Sequence, residues 1–456
     1  MNLVCPRNAR ASRSGSVLIL VLWISFGLVV LALYFAQSMS LELRAGDNRV
    51  AALEAEHAIN GAARYVGYVL SRYGTNGTIP DPALYSAEDV PVGADVAGAP
   101  AFWIIGRNDT SSQVLDVPKF GLVDEASKLN LNATNLTADM LATLPGMTAE
   151  FAAAIIDWRD TNSTVTTNGA EDESYARLVP PRKCKNANFE TVDELRLVYQ
   201  STMTLLYGED LNLNGILDRN ENDGDTSLPP DNRDGRLNPG IFEYVTVYSR
   251  QPNTTSTGTN RVNISNRRAL TTLLTEKISQ QRATAITSAL GPTNNPIRSV
   301  LEFYSRSGMS ADEFSLVEAE ITATSGAFVE GLVNVNTASE AVLACIPGIG
   351  VDLAPSLVAQ RQSNSKRVNS VAWVKDLLST AQIAQAGPYL TGQSYQFSAD
   401  IAALGHFGRG YSRTRFVFDT TENVPKILFR EDLSRLGWAL GKQVRQDIRL
   451  ATNLRK

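Results

Sequence analysis

The sequence predicts an α+β fold, and three observations predict it. Residues 14–41 carry no charge and lead, without a proline from Met39 to Ser71, into a stretch where Val50, Leu53, Ile59, Ala62, Val66 and Leu70 recur close to helical spacing. At the far end, apolar and polar residues alternate over 395–404, 411–419 and 425–429, with turn residues at 405–410 and 420–423, the pattern of antiparallel strands. Between them lies an internal repeat with helical periodicity, which predicts a large α-helical body.

The first element follows from its charge pattern. Arg13 is the last charge before the apolar run and Glu42 the first after it. About 20 apolar residues cross a bilayer as a helix, which places a span at about 16–36. Arg7, Arg10 and Arg13, with no acid among them, hold the leader in the cytoplasm. The chain from Glu42 onward is then expected in the periplasm, as a single-pass inner-membrane protein. Arg44, Asp47, Glu54, Glu56 and Arg64 fill much of the face opposite the apolar one. Residues 16–72 as one helix make a rod of roughly 85 Å. The junction Ser14-Gly15-Ser16 lies before the apolar run, whereas a secretory signal is cut behind a shorter one. This pattern resembles the leader of type IV pilins and type II secretion pseudopilins. The resemblance implies that a prepilin peptidase removes 1–15 and methylates the new N-terminus at Ser16. Most members carry Glu at the fifth mature position; here that residue is Leu20. A carboxylate in lipid needs a partner, which the resemblance places on the preceding subunit. Leu20 suits a subunit with no predecessor, the first of a fibre. An uncut anchor is the alternative.

Composition narrows the rest. With 456 residues, the exported part has room for two or three domains. A net charge of -5 argues against a polyanion binder. Cys5 would leave with the leader; Cys184 and Cys345 either form one disulfide or stay as buried thiols. Two His and no Cys cluster argue against a zinc site. There is no nucleophile–base pair and no phosphate loop, so an enzyme is not expected. Residues 75–100 read as loop, 101–106 and 114–117 as short strands, and from about Gly121 the periodicity turns helical.

The repeat occupies the middle of the chain. Leu144-Pro145-Gly146-Met147 aligns with Ile346-Pro347-Gly348-Ile349, and Arg159 with Arg361. Upstream, Asn130 and Asn132 match Asn334 and Asn336 with a two-residue offset. An apolar helix, a Pro-Gly turn and a second helix with small inner residues resemble a helix-hairpin-helix, or SAM-like, motif. DNA binding is the competing function that this suggests. A phosphate-binding turn presents amides beside Lys or Arg. Glu150 and Asp352 follow the two turns instead, so both read as packing motifs and no nucleic-acid partner is expected.

Residues 210–221 fit the calcium-loop pattern at every fixed place. Asp210, Asn212 and Asn214 supply side-chain oxygens, Gly215 allows the sharp turn and Ile216 offers its carbonyl. Leu217 is expected to point inward, Asp218 to bind directly or through water, and Glu221 to close the site. Asp223, Asp225, Asp231 and Asp234 follow, with a loop over 210–235 as the whole acidic segment. They form either a second calcium site or solvated surface. The pair Glu171-Asp172 reads as solvated or metal-linked rather than catalytic.

Further blocks complete a resemblance over most of the chain. They are Ile155-Ile156-Asp157-Trp158-Arg159-Asp160, Gly169-Ala170-Glu171-Asp172, Tyr175, Phe189, Val192-Asp193-Glu194-Leu195, 228–237 and 244–253. With Gly15, Leu20 and 331–343, these resemble the type II secretion system protein K family, the large minor pseudopilins. The resemblance implies a pseudopilin fold, a long N-terminal helix on an antiparallel sheet, interrupted by a large α-helical insert with two repeats. Its expected boundaries are 16–72 for the helix, 73–124 for the first part of the α/β domain, 125–392 for the insert and 393–456 for the remaining strands. It further implies a place at the tip of the pseudopilus and a set of partners. These are minor pseudopilins I and J, the major pseudopilin, the prepilin peptidase and the inner-membrane assembly platform. A minor pilin of a type IV pilus and an anchored DNA receptor are the alternatives.

Overall fold

The computed structural model describes residues 14–93, 98–107, 118–292, 294–363, 369–422 and 424–453. Residues 1–13 of the expected leader 1–15 and the strand expected at 114–117 lie outside the described residues.

Ser14–Tyr73 form one 60-residue helix, α1. Among the described residues it alone is long and apolar enough to cross a membrane. Its first half has no cover: the large apolar side chains from Val17 to Val50 are exposed, with Leu20 at 61%. In its second half Ala51, Ala55, Ala58, Ile59, Ala62, Val66 and Leu70 are buried, at helical spacings of three and four. After α1 come β1 (Val90–Pro91), β2 (Ala101–Ile105) and β3 (Val123–Asp124).

The chain then leaves this sheet and builds three successive units of one plan. The first runs through β4 (Leu129–Asn130), α2 (Ala138–Ala142), α3 (Ala149–Arg159), α4 (Asp172–Ala176), α5 (Met203–Tyr207) and β5 (Val245–Thr246), and is followed by β6 (Arg250–Pro252). The second runs through β7 (Val262–Asn263), α6 (Arg267–Lys277), α7 (Gln280–Ala289), α8 (Val300–Ser307), α9 (Ala311–Ser315) and β8 (Ile321–Thr322), followed by β9 (Phe328–Glu330). The third runs through β10 (Val333–Asn334), α10 (Glu340–Ala344), α11 (Gly350–Ser363), α12 (Thr380–Ala386) and β11 (Leu390–Thr391). In each unit the opening strand pairs in parallel with the closing one.

One asparagine organises each opening strand. Asn130 accepts from the amide of Asn132, Asn263 from that of Ser265 and Asn334 from that of Asn336. Their own side-chain amides reach just past the closing strand, to Ser249 O, Thr324 O and Ser394 Oγ. The arginines matched in the sequence repeat also act alike. Arg159 donates to the carbonyls of Leu131, Ala133 and Leu136, and Arg361 to those of Val335 and Ala338. The sequence repeat has two copies; the structure adds the middle unit. That copy has no Pro-Gly turn: Lys277-Ile278-Ser279 joins its first two helices, with Ser279 capping α7. All three units share one core, to which Phe151, Phe303 and Leu343 belong.

The chain then returns as β12 (Gln396–Gly405), β13 (Arg409–Asp419) and β14 (Lys426–Asp432), and ends in a helix, α13 (Gly441–Asn453), which the strand reading of 393–456 does not include. β12 is central. β2 and β3 pair with it end to end along one side, β13 along the other, and every pairing in this sheet is antiparallel. Phe397, Ala399, Ile401 and Ala403 face α1. Ala402 and Leu404, with Trp103, face a second layer that holds Leu440, Val444 and Ile448. At the β12–β13 hairpin the backbone nearly touches the helix: a Cβ on Gly405 would lie 2.1 Å from Ala51 O, and one on Gly410 (φ +66) 2.3 Å from Ala51 C. His406 bridges Glu54 and Asp47 beside this contact, at 2.6 and 2.9 Å, and Arg409 pairs with Asp47.

Candidate functional site

The acidic loop is an insertion in the first unit. It lies between α5 and β5, where the other units need only a few residues. Gly208 bridges Pro239 at its base, an approach so close that a Cβ on Gly208 would meet Asn238 O at 2.2 Å.

Within 210–221 the backbone wraps around Asp210. Its Oδ1 accepts from the amide of Asn214 (3.0 Å) and its Oδ2 from that of Gly215 (2.9 Å), where φ is +73. Glu221 is fully buried and accepts from the amides of Leu211 and Asp218, at 3.1 and 3.0 Å. Asp218 Oδ2 accepts from the side-chain amides of Asn212 and Asn214. Asn214 Oδ1 accepts from the amide of Ile216. Burial lifts the carboxyl of Asp210 to about 6, and burial with the Asp210 charge lifts that of Glu221 to about 8. Metal-free, these two groups resist sharing a negative charge. Asn212 Oδ1, the third-position oxygen, is buried with no partner. An orphaned oxygen beside two strained carboxyls is a donor set that fits a hard cation. The apolar side chain that buries itself is Ile216; Leu217, expected to point inward, is only half-buried.

The second acidic run does not converge. Asp231 is buried and accepts from the amides of Gly224 and Arg233. Asp223 accepts from Ser227, Asp234 from Arg236, Asn232 and Asn238, and Asp225 lies 3.6 Å from Arg233 at the exposed rim. No three His, Cys, Asp or Glu side chains close together around one point among the described residues. Sequence reasoning missed Glu209, which is buried and accepts from the amides of Asn232 and Asn238 at the loop base.

It also missed what the loop rests on. Arg413 of β13 is fully buried and donates to the carbonyls of Asn212 and Leu213, the latter at 2.8 Å. The same guanidinium forms a two-pronged pair with Asp400 of β12, at 2.8 and 2.6 Å. Asn212 further donates to Trp438 O. The loop is thus docked on the central strands of the sheet. Nothing local in 210–221 signals a partner some two hundred positions away.

The remaining predicted positions stay apart from this site. Cys184 and Cys345 are both free and buried, so no disulfide joins them. Each thiol turns to its own surroundings, Cys184 Sγ to Asp157 O and Cys345 Sγ to Ala341 O. Gly15 and Ser16 lie in the first turn of α1, and Leu20 on its exposed half. In the helix pairs, Gly348 (φ +85) packs under α12: a Cβ there would lie 2.8 Å from Gln382 O.

Residues 121–207 match a protein family described as "Type II secretion system (T2SS), protein K", and residues 333–398 match a second family of the same description. No curated protein matches the sequence. Among solved structures, a chain of the GspK-GspI-GspJ complex from the enterotoxigenic Escherichia coli type 2 secretion system is similar at 11% identity and a TM-score of 0.40, with 87% of this chain and 99% of that chain covered. By the two protein K segments that it carries, one on either side of the middle unit, the chain belongs to the type II secretion system protein K family.

Proposed function

We propose that the chain is a minor pseudopilin that starts and caps the tip of the periplasmic pseudopilus, the fibre that drives folded proteins through the outer membrane. The observation that carries this reading is the body inserted between β3 and β12, three units on a single sheet. A body of that size does not fit on every subunit of a tight helical fibre; it fits once, at an end. The bare apolar half of α1 suits an inner-membrane anchor before assembly and a helical fibre core after it, and Leu20 suits the foremost subunit. Processing at Gly15 with methylation of Ser16 belongs to the same reading.

Minor pseudopilins I and J are the proposed immediate partners, with the major pseudopilin below them and the assembly platform and prepilin peptidase in the membrane. The role is structural rather than enzymatic. The helix pairs act as packing motifs, in keeping with the close packing of Gly348 against α12 and with the acids, Glu150 and Asp352, that follow the two turns. Calcium in 210–221 would be held by Asp210, Asn212, Asn214, Asp218, Glu221 and the carbonyl of Ile216. It would supply the positive charge that buried carboxyls at this site lack. Asp223, Asp225, Asp231 and Asp234 are proposed as solvated or self-satisfied surface instead, with Asp231 and Glu209 shaping the loop.

The test is assembly of the full chain in detergent with I and J from the same genome, read as complex mass by light scattering, with and without EDTA. A one-to-one-to-one complex is expected, weakened in EDTA. No complex in either condition would overturn the tip reading. Separately, saturating calcium should raise the melting point of the wild type, since a ligand at about 100-fold its Kd adds about 2.7 kcal/mol. D210N/E221Q should lose most of that shift. An undiminished shift in the variant would refute the ligand assignment.

A further inference from the structure

The last stretch of this acidic chain is basic. From Gly441 to Lys456 the sequence carries Lys442, Arg445, Arg449, Arg455 and Lys456 against one acid, Asp447, in a chain whose net charge is -5. α13 brings the first of these cations to the hairpin end of the sheet. Its inner face is apolar: Val444 and Ile448 pack in the layer with Trp103 and Leu404. Ile448 sits so close to the β12–β13 turn that a Cβ on Gly408 would lie 2.2 Å from its Cγ2. Lys442 and Arg445 are exposed, Arg445 over the ring of Trp438 at 4.9 Å. Leu450 of the same helix is 61% exposed, and Phe407 in the turn 46%.

The neighbouring acids do not cancel this charge. Glu88, Asp89 and Asp447 line a cavity of about 300 Å³ between α13 and the sheet, behind the outer face of the helix. On α1, Glu42, Asp47, Glu54 and Glu56 stand against Arg44 and Arg49. Two of these acids are already engaged by the hairpin, Asp47 by Arg409 and His406, and Glu54 by His406. The excess positive charge at this end of the protein is therefore carried by α13 and the residues after it.

The place of α13 decides what covers it. The hairpin beside it rests on α1 at Ala51 and grips Asp47. Glu42 is the first charge after the apolar run. Asp47 is five residues further on, roughly 8 Å along a helix. The headgroup zone outside the hydrocarbon is itself roughly 5–8 Å deep. With α1 across a bilayer, the hairpin end of the sheet stands at the headgroups, within the screening length of about 10 Å over which Lys and Arg are drawn to anionic lipid. We infer that the outer face of α13, through Lys442 and Arg445, docks on the anionic headgroups of the membrane that α1 spans, and holds the exported part against the bilayer before assembly. The inference rests on the reading of α1 as a membrane anchor. The apolar face of α13 is taken by the sheet, so the contact is electrostatic and the helix does not insert.

The test uses the full chain in lipid nanodiscs, of phosphatidylcholine alone or mixed with phosphatidylglycerol, with a spin label on a fraction of the headgroups. A fluorophore is attached at C5S/Q446C, on the exposed side of α13; Cys184 and Cys345 are buried and stay unlabelled. Quenching should be several-fold stronger in the anionic discs, and the difference should vanish in about 1 M salt, where the screening length is about 3 Å. K442E/R445E should bring the anionic discs down to the level of the neutral ones. Both positions are exposed, so the melting point of that variant in detergent should match the wild type, which checks its fold. A fluorophore at C5S/T257C, in the loop next to Arg261, which bonds Tyr395 at the other end of β12, should be quenched in neither lipid. A chain that separates from the discs on gel filtration would defeat the anchor reading. A retained chain quenched alike in both lipids, or one whose quenching survives K442E/R445E, would overturn this inference alone. A label shielded only when I and J are added would also overturn it and assign the face to a neighbouring subunit.

Discussion

Arg413 shows how one side chain can decide where a whole insertion rests. It is fully buried and forms a two-pronged pair with Asp400, while its remaining donors hold the loop carbonyls of Asn212 and Leu213. Removing the guanidinium leaves the buried Asp400 carboxylate with the looser contact to Arg415, 3.6 Å away. R413M should therefore cost about 3–5 kcal/mol in denaturant titration. D400N/R413M should recover part of the loss, and a single variant as stable as the wild type would contradict the assignment. Glu318 makes a pH-dependent link between the second and third units. It accepts from Ser370 Oγ at 2.7 Å and from the amide of Val371 at 2.9 Å, and burial raises its carboxyl to about 7. A carboxyl raised on folding favours the folded state at low pH. Its contribution is complete below about 4.5 and is lost as pH rises through about 7. E318Q should flatten that part of the stability–pH profile; an unchanged slope would assign it to other groups. At this scale the sequence shows a pattern and hides its partners. Alternating oxygens at 210, 212 and 214 can be read because a calcium loop is local. Arg413, Asp400 and Glu209 cannot, because buried pairing depends on contacts across the chain.

At the scale of elements, α1 and the β12–β13 hairpin are legible from periodicity, and their contact is not. Spacings of three and four in α1 give its buried face, and alternation gives the strands. The contact depends on two glycines, Gly405 and Gly410, that bring the hairpin backbone against Ala51. A methyl group at 405 has nowhere to go without moving the helix. G405A should cost about 1–3 kcal/mol, as overpacking does, read as a fall in the urea midpoint. A neutral result would mean that the hairpin yields easily. The middle unit was invisible for a different reason. The two copies with Pro-Gly turns announce themselves, whereas Lys277-Ile278-Ser279 achieves the same reversal with a serine cap. What persists in all three is Leu129-Asn130-Leu131, Val262-Asn263-Ile264 and Val333-Asn334-Val335, too short to stand out unaided. The terminal α13 was missed because its apolar residues are few, and it takes its place by laying Val444 and Ile448 on the sheet.

For the whole molecule, the chain visits one sheet twice and spends the interval building a second body. Strand character can be read on both sides of the interval. Strand order cannot, since β12 joins partners from before and after it. The same arrangement has a mechanical consequence. β12 begins level with Gly77, where Ser394 donates to its carbonyl, and ends beside Ala51, so it lies alongside the second half of α1 and runs toward its bare apolar half. Tension on the bare half of α1 enters the protein at the hairpin and travels up a strand bonded along both flanks. Load applied in that direction shears many hydrogen bonds at once instead of peeling them in turn. A subunit pulled by its own N-terminal helix is gripped where it resists best.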